Sequence, residues 1–260
     1  DLSISTECNH NKFKKKVFVN NKQDKDSLEY VKKLYSISWF LPEMERLFIA
    51  SPSLRRDFFD RLIYAKDKTF LSTLNNYKKA ILERSKILQL DNYDLGWINK
   101  IEEEIVDIGI KIYQARIDHI KMLNSEIRSL DLINRKSKLF FLEIKDTFIY
   151  NNENARSIKS KYLDELNKMR RYDSIVGGSK IGPHKSDIFG TYLDNNLNIS
   201  QCSTGEQKTI VILILIAQCQ NLIKSFSCQP IILFDEVCSH LDKNNRDIIP
   251  DLINSLKVQI

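Results

Sequence analysis

From Thr209 to Ile223 the chain runs without a helix breaker and is apolar almost all round, with only Thr209 itself, Gln218, Gln220 and Asn221 as polar interruptions. A segment with no polar stripe has no face to offer water, so it must sit at the centre of a core with other elements packed around it. Ile210-Val211-Ile212 would suit a strand by propensity, but the unbroken length predicts a buried helix. A second buried segment follows at Pro230-Ile231-Ile232-Leu233-Phe234. Continuous apolar character predicts a strand covered on both faces, the kind that belongs to a parallel sheet. A buried helix beside a buried parallel strand means an α/β fold. Seven Gly and five Pro in 260 residues are too few for the many tight turns of an all-β sandwich or barrel, and leave long helices as the remaining bulk.

The rest of the chain divides by pattern. Residues 1–40 read as β-rich: Asp1 to Ser5 alternates, and Lys16-Val17-Phe18-Val19 runs into the turn pair Asn20-Asn21. A helix over Asp26–Leu34 and a strand over Ser36–Leu41, stopped by Pro42, are expected next. Ser51-Pro52 supplies a cap and a first-turn proline, and Leu54, Phe58, Phe59, Leu62 and Ile63 share a face of a helix from Pro52 to Ala65. Helices over 67–90 and 96–130 form an antiparallel arm, the second with a seam at Ile101, Ile105, Ile108, Ile112, Ala115, His119 and Met122. On that seam His119 reads as a packing histidine, because no second ligand stands at metal spacing. A strand near 139–149, closed by Asn151-Asn152, and a helix over 153–171 with Ile158, Tyr162, Leu163 and Leu166 on one face complete this part. Gly177-Gly178, Gly182-Pro183, Gly190 and Gly205 then crowd into one stretch where the backbone must turn tightly.

Two segments carry chemistry. The apolar strand ends in Asp235-Glu236, at the edge where open α/β sheets hold ligands. The two acids either cap the strand or divide labour, Asp235 holding the water shell of Mg²⁺ and Glu236 orienting and deprotonating an attacking water. At the head of the long buried helix stands Cys202-Ser203-Thr204-Gly205-Glu206-Gln207-Lys208. A hydroxyl-Gly-polar turn there is either a plain cap or an anion site, since free N–H groups and the helix dipole point outward. Lys+Arg 40 against Asp+Glu 34 gives a net charge of +6, which permits nucleic acid as a partner. Basic clusters lie at Lys12-Lys14-Lys15-Lys16, Arg55-Arg56-Arg61, Lys78-Lys79 and Arg170-Arg171; Arg55, Arg56, Arg61, Lys78 and Lys79 are the DNA-binding candidates. The apolar stretch Thr209–Ala217 falls short of the ~18 residues of a membrane span, and no membrane is expected. Cys8, Cys202, Cys219, Cys228 and Cys238, odd in number and without a CxxC pair, read as reduced thiols of a cytoplasmic protein.

Together the two segments resemble the ATP-binding-cassette class of P-loop ATPases, with Ser203–Lys208 as its signature, Ile231–Glu236 as Walker B and Ser239-His240-Leu241-Asp242 as the D-loop. Within that class the chain resembles the RecF family. Ser-Thr-Gly-Glu-Gln-Lys is similar to that family's signature, Ile181–Asp187 to its Gly-Pro-His-Arg-x-Asp segment, and Trp39–Met44 with Arg55–Arg61 to the lead-in of its helical domain. The resemblance implies an incomplete ATPase lobe with an inserted all-helical arm: 1–42 and 173–260 for the lobe, 43–172 for the arm. It implies ATP and Mg²⁺ as cofactors and an ATP-dependent homodimer in which Ser203, Thr204, Gly205, Glu206, Gln207 and Lys208 reach the partner's nucleotide, with Ser203 or Thr204 as the hydroxyl. Asp235 would hold Mg²⁺, Glu236 would act in catalysis, and Ser239, Leu241 and Asp242 would form the D-loop. It implies a recombination mediator of DNA replication and repair, including the SOS response, on single-stranded and gapped or junction DNA, with RecR/RecO-type partners. No Gly-x-x-x-x-Gly-Lys-Ser/Thr occurs here, and Asp1 and Val258-Gln259-Ile260 read as mid-run ends, so the expectation is a chain cut at both ends, inactive alone, from a slow ATPase. The alternatives are another SMC-like cassette ATPase or a non-catalytic helical docking module.

Overall fold

The computed structural model describes residues 2–9, 12–22, 35–130, 138–146, 155–226, 229–237, 239, 241 and 243–256. The expected helix Asp26–Leu34, the turn Asn151-Asn152, Cys228, Cys238, His240, Asp242 and Val258–Ile260 lie outside them, as do the side chains of Lys12, Lys14, Lys15 and Lys16. Strands β1 (Leu2–Asn9) and β2 (Lys12–Val19) pair antiparallel, Leu2 opposite Val19. Asn20 and Asn21 follow at φ 50 and 63, a left-handed conformation that asparagine tolerates.

The first core is built around α5 (Thr204–Phe226), whose residues Ile210 to Ala217 are all essentially without solvent contact. Each buried Ile, Leu or Val side chain there contributes roughly 1.5–3 kcal/mol. By length and composition this helix could span a membrane, unlike the shorter apolar run read from sequence, but 78% of its apolar window is buried inside the fold. Around it pack residues of the 3₁₀ turn Pro42–Arg46, the C-terminal part of α3 (Leu95–Ser129), the antiparallel pair β4 (Phe140–Lys145) and β5 (Asp187–Tyr192), and α6 (Lys243–Leu256).

Strands β3 (Tyr35–Phe40) and β6 (Gln229–Phe234) run parallel, Phe40 opposite Phe234. The strand expected to be covered on both faces is covered on one. Pro230 and Ile232 are buried, whereas Leu233 is 53% exposed; in β3 Ser36, Ser38 and Phe40 are buried while Ile37 is 52% and Trp39 38% exposed. The reason is that, among the described residues, only two strands form this sheet and its second face is only partly covered.

The second core is the helical arm. Helix α1 (Pro52–Lys66) starts with Ser51 Oγ accepting from the Leu54 amide at 3.4 Å and joins the two cores, burying Phe58, Phe59 and Leu62 in the first and Ile63 in the second; Leu54, expected on that face, is exposed. Helix α2 (Phe70–Leu88) lies along α3, which Asp94 caps by accepting from the Gly96 and Trp97 amides. Helix α4 (Ala155–Val176) packs across both and runs five residues past its expected end. The seam of α3 is rotated from the expected one: the deepest stripe is Ile98, Glu102, Ile105, Gly109, Ile112, Arg116, His119 and Leu123, while Ile108, Ala115 and Met122 are only partly buried. Spacing of four and three holds along both stripes, and the apolar criterion selected the flank because the true stripe carries a Glu, a Gly and an Arg.

Candidate functional site

The end of β6 opens into a turn. Asp235 donates its amide to the Phe40 carbonyl at 3.1 Å, and Glu236 follows at φ 50. Both acids therefore lie past the strand, so alternation of side chains along a strand does not set their directions. Both are exposed, and no ion pair holds either carboxylate among the described residues. A glutamate in the left-handed region costs ~1–3 kcal/mol and persists only where its surroundings over-determine it. Here the Glu236 carbonyl accepts from the Ser239 amide at 3.2 Å, from Ser239 Oγ at 2.8 Å and from Lys208 Nζ at 2.8 Å. Leu241 is buried.

The head of α5 is a capping box. Ser203 donates its amide and its hydroxyl to Glu206 Oε2, each at 3.0 Å, and its Oγ accepts from the Glu206 amide at 3.3 Å. Lys138 donates to the other Glu206 oxygen at 3.0 Å, and this bond, with those from Ser203, holds the Glu206 carboxyl below its usual range. The Ser203 hydroxyl is thus spent on the cap. Thr204 is exposed, and the amides of Thr204 and Gly205, in the first turn, have no intrahelical acceptor. Gln207 and Lys208 do not share that surface. Gln207 is buried and donates to the Cys202 carbonyl at 2.9 Å. Lys208 is buried and donates to Glu45, Glu236 and Ser239 of its own chain, which corrects its expected reach to a partner's nucleotide. A side chain four residues on from Thr204 stands one turn down the helix, on the core side.

The basic candidates separate in the same way. Arg55 is a correction: it is buried, pairs through Nε and Nη2 with both oxygens of Asp187 at 2.7 and 2.8 Å, and donates to the carbonyls of Phe48 and Ala50. Four of its five N–H donors are thus engaged inside its own chain. Arg56, Arg61 and Lys78 line one cleft of about 570 Å³ between α1 and α2. Arg56 donates to the Ser186 carbonyl at 2.6 Å, and burial lowers its pKa first, the neighbouring Arg116 next. Arg61 lies 5.3 Å from the centroid of the Trp39 ring, and Lys79 is exposed outside the cleft lining. Of the Arg170-Arg171 pair, Arg170 is taken up by Glu102 and Asn99.

No family model matches the chain. Among curated relatives, the DNA replication and repair protein RecF of Rickettsia bellii (strain OSU 85-389) is 33% identical over 228 residues, 88% of this chain and 63% of that protein. The protein of the same name from Rickettsia prowazekii (strain Madrid E) is 34% identical over the same shares. The chain belongs to the RecF family. It spans 63% of the length of these RecF relatives. The fold agrees: a solved structure of the recombination mediator protein RecF-ATPrS in the RecFOR pathway superposes with a TM-score of 0.78 at 21% identity, over 96% of this chain and 68% of that one. The RecF-ATP structure gives 0.76. The architecture is therefore that of an incomplete cassette-ATPase lobe with a helical arm.

Sequence reasoning missed what joins arm to lobe in this RecF-family chain. The segment Ile181–Asp187, read only as a motif, is a tightly cross-linked junction. Gly182 sits at φ 121 where an added Cβ would come within 2.2 Å of the Tyr162 hydroxyl. His184 Nε2 donates to the Ser179 carbonyl at 2.8 Å, so its neutral ring accepts at Nδ1 from the Tyr77 hydroxyl, also at 2.8 Å. Arg116 pairs with both oxygens of Asp60 at 2.8 Å and donates to Pro183 and Ser186. Deeper in the arm Arg84 bridges Glu102 at 2.8 Å and Asp173 at 2.7 Å. The available signal was charge in heptad register, Glu102 and Arg116 falling in step with Ile98, Ile105 and Ile112.

Proposed function

We propose that this chain is the greater part of an ATP-dependent DNA-binding recombination mediator of the RecF type, acting in DNA replication and repair. The observation that carries the reading is the exposed pair Asp235-Glu236 at the C-terminal end of the parallel β3–β6 pair, tied through one buried lysine to a helix head with free amides and a free hydroxyl at Thr204. ATP and Mg²⁺ fit these groups. A magnesium ion commonly takes only one or two carboxylates and completes its shell with water and phosphate, so a single exposed Asp235 suffices. Glu236 orients the attacking water, and the first turn of α5 meets the nucleotide held by a second copy of the chain. Phosphoryl transfer is served mainly by positioning and charge neutralisation, so such a site is completed on dimerisation and ATP serves as the dimer's adhesive. Because the Ser203 hydroxyl is engaged by Glu206, Thr204 is the hydroxyl that faces the γ-phosphate. Ser239, Leu241 and Asp242 serve as the D-loop.

Residues 1–42 and 173–260 serve as the ATPase lobe and 43–172 as the arm, and the whole works in the cytoplasm on gapped or junction DNA with RecR/RecO-type mediators. Arg56, Arg61, Lys78 and Lys79 supply non-specific phosphate contacts. Light scattering with and without ATP, beside a turnover assay on the product of the complete gene, tests this. Glu236→Gln is expected to keep the ATP-dependent dimer and lose turnover by more than tenfold; Thr204→Arg is expected to lose both. Parental turnover in both variants leaves the helical docking module as the reading.

A further inference from the structure

Lys208 has no exposed surface, yet all three of its donors are engaged: with Glu45 Oε1 at 2.6 Å, the Glu236 carbonyl at 2.8 Å and Ser239 Oγ at 2.8 Å. Its ammonium also lies 5.5 Å from the centroid of the Phe40 ring. These partners are not neighbours in sequence. Phe40 and Glu45 flank the exit of β3, Glu236 and Ser239 flank the exit of β6, and Lys208 itself stands one helical turn beyond Thr204. One ammonium therefore closes two strand exits and the head of the central helix on a single point. With every donor used and water excluded, displacing the helix head from the turn breaks a charge-assisted bond that nothing replaces.

The geometry points to Lys208 as a positioning residue that couples the two halves of the ATP chemistry within one chain. It fixes the backbone of Glu236, whose carbonyl it shares with Ser239, while leaving the Glu236 carboxylate exposed. It also fixes that backbone relative to the Thr204–Gly205 turn. This rests on the reading proposed above: the helix head meets a partner's nucleotide, Glu236 serves the chain's own, and Lys208 conveys the placement of one to the other. A buried ion pair kept only for stability can be replaced by uncharged groups of similar volume with little loss. A positioning pair cannot.

The test is steady-state ATP hydrolysis by the product of the complete gene, with melting temperature measured alongside. Lys208→Met combined with Glu45→Gln removes both charges, so that no unpaired ion is left buried. The expected result is kcat down by tenfold or more with KM for ATP within about threefold of the parent. Lys208→Arg alone, which keeps charge and hydrogen bonding, is expected to recover kcat to within about threefold. A folded double variant with parental kcat overturns the inference, as does a loss of kcat that Lys208→Arg fails to restore while its melting temperature is parental. If the double variant does not fold, Ser239→Ala asks the same question from the other end of the bond, with kcat expected to fall threefold or more at unchanged KM; parental kcat there overturns it equally. A parent that hydrolyses no ATP overturns the proposed function itself, which separates the two failures.

Discussion

His119 lies 3% exposed on α3 with no hydrogen-bond partner for either ring nitrogen among the described residues, and burial, aided by Lys66, pushes its pKa down to about 3. His184, held neutral between Ser179 and Tyr77, is pushed down to about 4, again chiefly by burial. Both groups bind protons in the unfolded chain below the ordinary value of 6.5 and resist binding them when folded. Stability therefore falls as pH drops from about 6.5 toward 4, by roughly 1 kcal/mol per pH unit for each histidine. His119→Leu is expected to flatten that slope by about half and to raise stability at neutral pH by about 1 kcal/mol or more, because it removes two unpaired buried polar atoms without opening a cavity. Urea denaturation at pH 7, 6 and 5 reads both effects; an unchanged slope would show that His119 is already protonated or solvated.

The arm is held by side chains that an amphipathic helix does not usually bury. Glu102 receives Arg84 and Arg170 on one stretch of α3, and Arg116 receives Asp60 on the next, with Gly109 between them. At Gly109 the ring of Tyr162 lies so close that an added Cβ would stand 2.9 Å from its Cε1, which is why the smallest residue occupies the middle of a 35-residue helix. Gly109→Ala gains about 1 kcal/mol of helix propensity but must displace Tyr162, whose hydroxyl meets that of Tyr77 at 2.9 Å. Overpacking of this kind costs ~1–3 kcal/mol, so the net expectation is a loss of up to about 2 kcal/mol. Thermal melting of Gly109→Ala checks this; a rise in melting temperature would show that helix propensity outweighs the crowding.

For the whole molecule, the partly exposed second face of the β3–β6 pair matters most. Ile37, Trp39 and Leu233 form an exposed apolar surface on a two-stranded parallel unit, and such a surface on an isolated chain invites association. The 260-residue chain is expected to bind an environment-sensitive apolar dye and to sediment with concentration-dependent association. Ile37→Lys with Leu233→Lys is expected to reduce both several-fold with only a modest loss of melting temperature, since each side chain is still about half exposed. Unaltered dye binding in the double variant would place the sticky surface elsewhere.

What the sequence determined by itself is what local period and continuous apolarity encode. The buried helix after Ser203, the strand that leads into Asp235-Glu236, the helices of the arm and the family membership were all legible, because each signal lies within one contiguous stretch. The tertiary structure alone decided which polar groups are spent inside. Arg55 and Lys208 read as surface charge until Asp187, Glu45 and the Glu236 carbonyl are brought to them from 132, 163 and 28 residues away. It also decided which hydroxyl of Ser203-Thr204 is free, since that depends on Glu206 folding back to cap the helix. A charge carries no mark in sequence of whether its partner will be water or a distant carboxylate, and the long-range fold settles that choice.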